Sequence, residues 1–262
     1  MSWGAWSPAP LVLAGGAIAS WRFAYGFARL RRRGRLDHAG RNRALLFCGG
    51  LAAAVLPLVS PLDDQADRLL SAHMLQHVLI GDVAPALLVL SVRGPLLAFV
   101  LPAPLGRLIA RLERLPAWGA LAAWAGVLAV WHVPALYDAA LAHAPLHDLE
   151  HASLVAIGLL VWTQLIDPAR RRRLSASQRL AFAGCLFLLG QLLSTVLFLA
   201  GPLYPAYGRA ADQQLAGLVM MVEQTVVLGV FAGFLLRDVA RRAVAMPTRG
   251  GADFAGAPAA SV

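Results

Sequence analysis

Lysine is absent from this chain, cysteine occurs only twice, and charge of either sign is scarce. With 14% of its 262 residues charged and 59% hydrophobic, the chain lacks the polar surface that a soluble globular domain needs. A polytopic membrane protein is expected instead. Cys48 and Cys185 stand singly in apolar runs with no CxxC or similar spacing, which argues against a disulfide framework and leaves both as packing residues. The net charge of +9 could suggest a nucleic-acid partner, but it rests wholly on arginine, in short blocks between apolar runs. Such blocks set membrane topology, so no nucleic acid is expected. The N-terminal MSWGAWSPAP lacks a basic segment ahead of the first apolar run. No cleavable leader is expected, and the first helix should stay in the mature protein.

What the chain has in abundance is long apolar sequence. A run of roughly 20 residues crosses a bilayer as a helix, and breakers divide this chain into seven such runs, at roughly residues 9–30, 44–60, 69–91, 117–133, 147–166, 179–200 and 212–236. The first ends at LRRRGR and the second at the Pro61 turn. The fourth ends at WHVP, where Pro134 lacks the N–H that would continue the helix. Between the third and fourth, GPLLAFVLPAPLGRLIARLERLP is apolar yet broken by Pro95, Pro102 and Pro104. An interfacial or re-entrant segment is expected there, not a span. The fold class is therefore an all-α integral membrane protein, a seven-transmembrane helix bundle. Residues 1–240 should form a single domain in the lipid bilayer, and the Ala/Gly-rich residues 241–262 a disordered cytoplasmic tail.

The arginines orient the bundle. Blocks at residues 31–43, 107–114, 170–173 and 237–242 each follow an odd-numbered span, so all fall on one side, which the positive-inside rule assigns to the cytoplasm. The N-terminus is expected outside and the C-terminus in the cytoplasm of a bacterial plasma membrane. Trp3, Trp6, Trp118, Trp131 and Trp162 lie near span ends and read as interface anchors.

Six of the seven histidines, His73, His77, His132, His143, His147 and His151, fall at the outer ends of spans or in outer loops. His73 and His77 are four residues apart, as are His147 and His151, so each pair shares a helix face with one turn between its members. His77 lies roughly 12 Å below the outer start of span three, and Met220 lies at a similar depth in span seven. Asp212 and Met220 fall roughly 80° apart around that helix, near one face. A His/Met/Asp pocket near the outer leaflet is thus geometrically sound. Each histidine alone could be an interfacial residue with its tip in water, and each methionine a core residue. The His73/His77 pair inside a span is different, because buried ionisable groups in membranes are costly and usually functional. Asp82 and Glu223 lie deeper, where a hydrogen bond to another helix or a protonated state is expected. Asp82 lies about 180° from His73 around the helix and should not share its site.

These residues resemble the CtaG family of cytochrome c oxidase assembly factors, found with caa-type oxidases in bacteria. The similarity rests on SAHMLQH in span three, WHVPALYDAAL after span four, LHDLEH opening span five, and LYPAY followed by DQQLAGLVMM around span seven. The resemblance implies a seven-helix membrane protein, not an enzyme, that helps assemble a haem-copper oxidase and assists in loading its copper. Its partners would be oxidase subunits and a periplasmic copper donor. The candidate positions it implies are His73, Met74, Gln76, His77, His132, His147, His151, Asp212 and Met220. A single-span copper chaperone shares the family's name, but it carries a cysteine pair that this chain lacks.

Imidazole and thioether suit copper, with Met sulfur favouring Cu(I). The leading expectation is that His73 and His77, with Met220 and His147 or His151, bind copper transiently and pass it to the oxidase. Three further expectations differ in class. One is an intramembrane zinc hydrolase with Asp82 or Glu150 as base. Another is bis-histidine haem ligation between spans three and five. The last is a metal-free scaffold for oxidase subunits.

Overall fold

In a computed structural model, which describes residues 6, 9–112, 114–169, 171 and 173–244, every regular element is a helix. In chain order these are α1 (Pro10–Arg32), α2 (Arg41–Val59), α3 (Pro61–Ala66), α4 (Leu70–Ser91), α5 (Pro95–Val100), α6 (Ala103–Leu112), α7 (Ala117–Trp131), α8 (Pro134–Ala142), α9 (Ala144–Ile166), α10 (Ala176–Leu199) and α11 (Ala210–Val244). Among the described residues, α1, α2, α4, α9, α10 and α11 are each long and apolar enough to cross a membrane. A seventh crossing exists only if α7 and α8 count together across a bend of 71°. The 15 residues of α7 make about 22 Å of helix, short of the roughly 30 Å hydrocarbon core. Pro134 opens α8, and its missing N–H closes α7 at the expected place.

Residues 92–116, expected to be interfacial or re-entrant, supply α5 and α6, both too short to span. The first packs against α1, where Gly26 leaves room for Phe99 and the Arg22 Nε donates to the Val100 carbonyl at 2.7 Å. At the other end of the chain α11 continues through Val244, taking in the first residues of the expected tail. Residues 245–262 lie outside the described part. Cys48 and Cys185 are on the outer surface of the bundle and not packed inside it.

The axis of the bundle is α4. More than half of its apolar window is buried, 56% against 11% for α1, and it packs on α2, α9 and α11. It is not a uniform helix, because residues 79–83 form a π-helical turn in which the Ala84 N–H bonds to the Leu79 carbonyl. Pro85 explains the defect: it has no N–H to give the Gly81 carbonyl four residues back, and a π-turn is the usual way a helix absorbs such a gap. That carbonyl lies against Gly158 of α9, where an added Cβ would sit 1.9 Å from it. The glycine is thus required by close approach of two helices.

The basic loops gather at one end of the bundle. Gly94, with its positive φ of 75°, turns the chain after α4 so that its N–H reaches the Pro168 carbonyl at 2.9 Å. The His38 ring lies against the same glycine. Arg43 donates to the Ser91 and Arg93 carbonyls, at 3.2 and 2.6 Å, placing a cation at the negative end of α4. Arg93, Arg173, Arg179 and Arg242 border one cavity here. The histidines other than His38 lie at the opposite end.

The substitution Gly158→Ala should force α4 and α9 apart and cost about 1–3 kcal/mol, read as a lower denaturation midpoint in detergent. Gly184→Ala, where an added Cβ meets nothing within 4 Å, should leave the midpoint unchanged. Equal midpoints for the two variants would show that the contact at Gly81 is not close-packed.

Candidate functional site

The site is built on the first turns of α4. The opening amides of a helix have no intrahelical acceptor, and Leu69 at the N-cap position offers none. Asp212 of α11 fills the need: its carboxylate accepts from the Leu70 N–H at 2.6 Å, the Ser71 N–H at 3.4 Å and the Ser71 hydroxyl at 2.5 Å. A negative charge at a helix N-terminus is itself stabilising. Asp212, expected among the metal ligands, is therefore placed as a cap, with both oxygens engaged.

Gln76 has a comparable task. Its Nε2 donates to the Pro57 carbonyl at 2.7 Å and to Asp63 Oδ1 at 2.8 Å. Four residues beyond Pro57 stands Pro61, which has no N–H to offer that carbonyl. The glutamine thus supplies a donor the backbone cannot.

His73 is held in one tautomer by its neighbours. The Tyr207 hydroxyl donates its single proton to the Ala66 carbonyl at 2.8 Å, and Tyr137 donates to the Tyr207 oxygen at 3.4 Å. His73 Nδ1, 3.0 Å from that oxygen, must then be the N–H bearing atom. This leaves His73 Nε2 as a lone pair, 2.9 Å from His77 Nε2. Both tyrosines in the adjoining loop stay protonated donors. Burial, with the Glu150 carboxyl, pushes the Tyr204 hydroxyl up to about 12, and burial likewise raises that of Tyr207.

The opposing wall is the first turns of α9. His147, Glu150 and His151 stand at i, i+3 and i+4, one face of a helix, and that face meets His73 and His77. The His73 ring centroid is 5.3 Å from that of His147 and 6.2 Å from that of His151, and His77 lies 5.2 Å from His151. Ligand atoms of His73, His147 and His151 all lie within 4.8 Å of one another, as do those of His73, His77 and Glu150. Glu150 is fully buried. Its Oε1 is 3.7 Å from His77 Nε2, too far for a hydrogen bond. Neither Glu150 oxygen has a hydrogen-bond partner, and neither does Nε2 of His147 or His151.

Buried polar atoms are almost always paired, so unpaired atoms in two adjoining ligand groups that share His73 make a cradle for a cation. Asp63, Asp67 and Asp148 act electrostatically on His147 from the rim. Burial, with the neighbouring Asp63 carboxylate, raises the pKa of Asp67.

A cavity of about 80 Å³ adjoins the cluster, and Met74, His77, His132 and Met220 are among the residues that border it. His132 Nδ1 is 2.8 Å from the Leu128 carbonyl. A carbonyl only accepts, so His132 too is an Nδ1–H tautomer, and its buried Nε2 has no partner. His73, His77, His147 and His151 thus form one cluster, while His132, Met74 and Met220 line the chamber beside it. His143 is exposed and bonded to the Ala139 carbonyl.

Glu150, expected only as the base of a zinc hydrolase, and Tyr207 were not expected among the ligands or their support. The spacing within LHDLEH could have revealed Glu150, whereas nothing local marks Tyr207. Trp131 and Trp162, expected as interface anchors, are both buried, because their indole N–H groups find acceptors inside the bundle, Ser153 and Asp82 respectively.

A bundle of six to seven apolar helices, with a histidine and carboxylate cradle buried at one end, defines a polytopic membrane protein with a site suited to a metal cation. The chain belongs to the cytochrome c oxidase caa3 assembly factor family, whose sequence profile matches residues 21–242. No curated protein and no solved structure matches it.

Imidazole nitrogen-15 spectra of the purified chain should show His73 and His132 as Nδ1–H tautomers. Tyr207→Phe should change the His73 signals and leave those of His132 in place. An Nε2–H tautomer at His73 in the unaltered protein would overturn the hydrogen-bond assignment.

Proposed function

We propose that this oxidase assembly factor takes up copper as its cargo at the histidine cluster and passes it to the haem-copper oxidase. The observation that carries the proposal is the meeting at His73 of two buried ligand groups, His73/His147/His151 and His73/His77/Glu150, in which Nε2 of His147 and His151 and both oxygens of Glu150 have no hydrogen-bond partner. The donor set is chemically apt, since imidazole accepts copper in either oxidation state, and the thioethers of Met74 and Met220 next door favour Cu(I). Tyr207 orients His73 from behind, the kind of support that fixes a ligand's tautomer and raises its basicity.

Position supports the same proposal. With the arginine loops at the cytoplasmic face, the N-terminus lies outside, the C-terminus lies inside, and the cluster opens toward the periplasm of a bacterial plasma membrane. A copper donor there would meet the acidic rim of Asp63, Asp67 and Asp148 before the histidines. Oxidase subunits are the receiving partners. The role is one of delivery, with no bond made or broken in the cargo.

One contact favours a second function, metal-assisted hydrolysis. Glu150 beside His77 resembles a base next to a histidine-bound metal. Under that function the isolated chain would retain zinc, and Glu150→Gln would keep the metal while abolishing turnover.

Titration of detergent-purified protein with Cu(I) against a chromophoric competitor tests the copper proposal. The double variant His73→Ala/His77→Ala should bind more than about 100-fold more weakly, given that loss of one supporting contact already costs 10–100-fold. Cells carrying only this variant should assemble copper-deficient oxidase. Normal oxidase copper content in those cells, with no Cu(I) binding by the unaltered chain, would refute it.

A further inference from the structure

Deeper along α4 lies a second buried group of ionisable residues. Asp82 sits in the π-helical turn of residues 79–83, five residues beyond His77 and so roughly 8 Å farther along the helix. Its carboxyl lies beside that of Glu223 from α11, on the wall of one cavity, and accepts the indole N–H of Trp162 from α9. Carboxylates only accept hydrogen bonds. Two carboxyls that face each other in an apolar interior therefore hold at least one proton between them.

This pair is not merely a tie between helices. Glu223 Oε1 is buried and has no partner among the described residues, whereas most buried polar atoms are paired. Gln224, the next residue, shows the contrast: it donates to the Leu186 carbonyl and accepts from Gln191, joining α10 to α11 by itself. The backbone at Asp82 is also the one π-helical turn among the described residues, and such turns are frequent at functional sites.

The cavity links the two groups. It is bordered at one end by Met74, His77 and His132 and farther along by Asp82 and Glu223. Its volume of about 80 Å³ is several times the roughly 10–15 Å³ that one water requires by this measure. The titratable groups that face the pair across it are His77 from α4 and His132 from α7. Trp124 from α7, Ser194 from α10 and Gln224 from α11 are neutral, and among the described residues no arginine borders the space.

We propose that Asp82 and Glu223 form an intramembrane proton site that serves the histidine cluster: the carboxyls hold one proton, and a cation arriving at His77 drives it into the water of the cavity. The O–H bond of one carboxyl breaks, its electron pair stays on the oxygen, and the proton passes to water. The second negative charge left behind compensates the incoming cation. The proposal rests on cation binding at the cluster. At a separation of roughly 10 Å and an effective dielectric constant near 20, a unit charge at the cluster weakens proton binding at the pair about tenfold. By reciprocity, loss of the proton tightens cation binding by the same factor.

Infrared spectroscopy of the full chain in lipid nanodiscs, with Ag(I) as a redox-inert stand-in for Cu(I), tests this. A carboxylic acid carbonyl band should be present at neutral pH, the pH at which it fades should fall by about one unit when Ag(I) saturates the protein, and the band should be lost or shifted in both Asp82→Asn and Glu223→Gln. Either amide can donate to the remaining carboxylate, so both variants should fold. Ag(I) affinity should rise about tenfold with pH in the unaltered chain beyond any rise that persists in the variants. A band absent from the outset, or one whose pH midpoint is unmoved when Ag(I) is bound, would overturn the proposal. If Ag(I) does not bind at all, the copper proposal falls and the exchange with it, and the band then shows whether the pair holds a proton on its own.

Discussion

The carboxylate of Asp212 on the opening amides of α4 is the contact from which the site takes its geometry. It places the start of one helix against the start of another, although 142 residues separate Leu70 from Asp212 in sequence. His73 and His77 then follow at fixed rise and rotation along α4. Without that cap, the first amides of α4 would be unsatisfied in an apolar setting, where each such group costs several kcal/mol. The same demand recurs throughout the bundle. Gln76 serves the Pro57 carbonyl, and Gln213 alone serves those of Leu197, Ala200 and Gly201 at the end of α10. Long polar side chains here act as substitutes for backbone donors that proline or a helix end has removed.

Against so thorough a pairing of polar groups, the exceptions stand out. His132, His147, His151, Glu150 and Glu223 are among the residues that keep buried atoms without partners, and these five lie in or beside one connected region. The clustering, and not the lack of a partner alone, sets this group apart, since Gln76 and Gln164 also keep such atoms. It also gives the two ends of the bundle distinct chemistry. Arginines cap helix ends and meet across loops at one end, and neutral nitrogen donors with a carboxylate gather at the other.

How far the sequence could be read depends on the range of each interaction. The spans were legible because apolar length is a local property, and α7 was located correctly because Pro134 acts on its own turn. Pairing of His73 with His77 and of His147 with His151 was legible for the same reason. Glu150 was within reach, since it shares their helical spacing. The π-turn at residues 79–83 follows from Pro85, but apolar length and span breakers, the signals that set the boundaries, do not register a proline that a helix absorbs. Trp162 lies near a span end, and only the position of Asp82 on a neighbouring helix reveals that it faces inward.

By itself the sequence determined the all-helical architecture, six of the crossing segments, the segregation of arginine from histidine, and the family to which the chain belongs. These depend on hydropathy, helical period and motif order, all of which are written along the chain. Only the tertiary structure decided that Asp212 caps a helix, that Tyr207 sets the tautomer of His73, that Glu150 joins the histidines, and that Asp82 meets Glu223. Each is a contact between segments far apart in sequence. Inside a membrane bundle, the role of a polar side chain follows from which unsatisfied partner the packing brings within hydrogen-bonding distance.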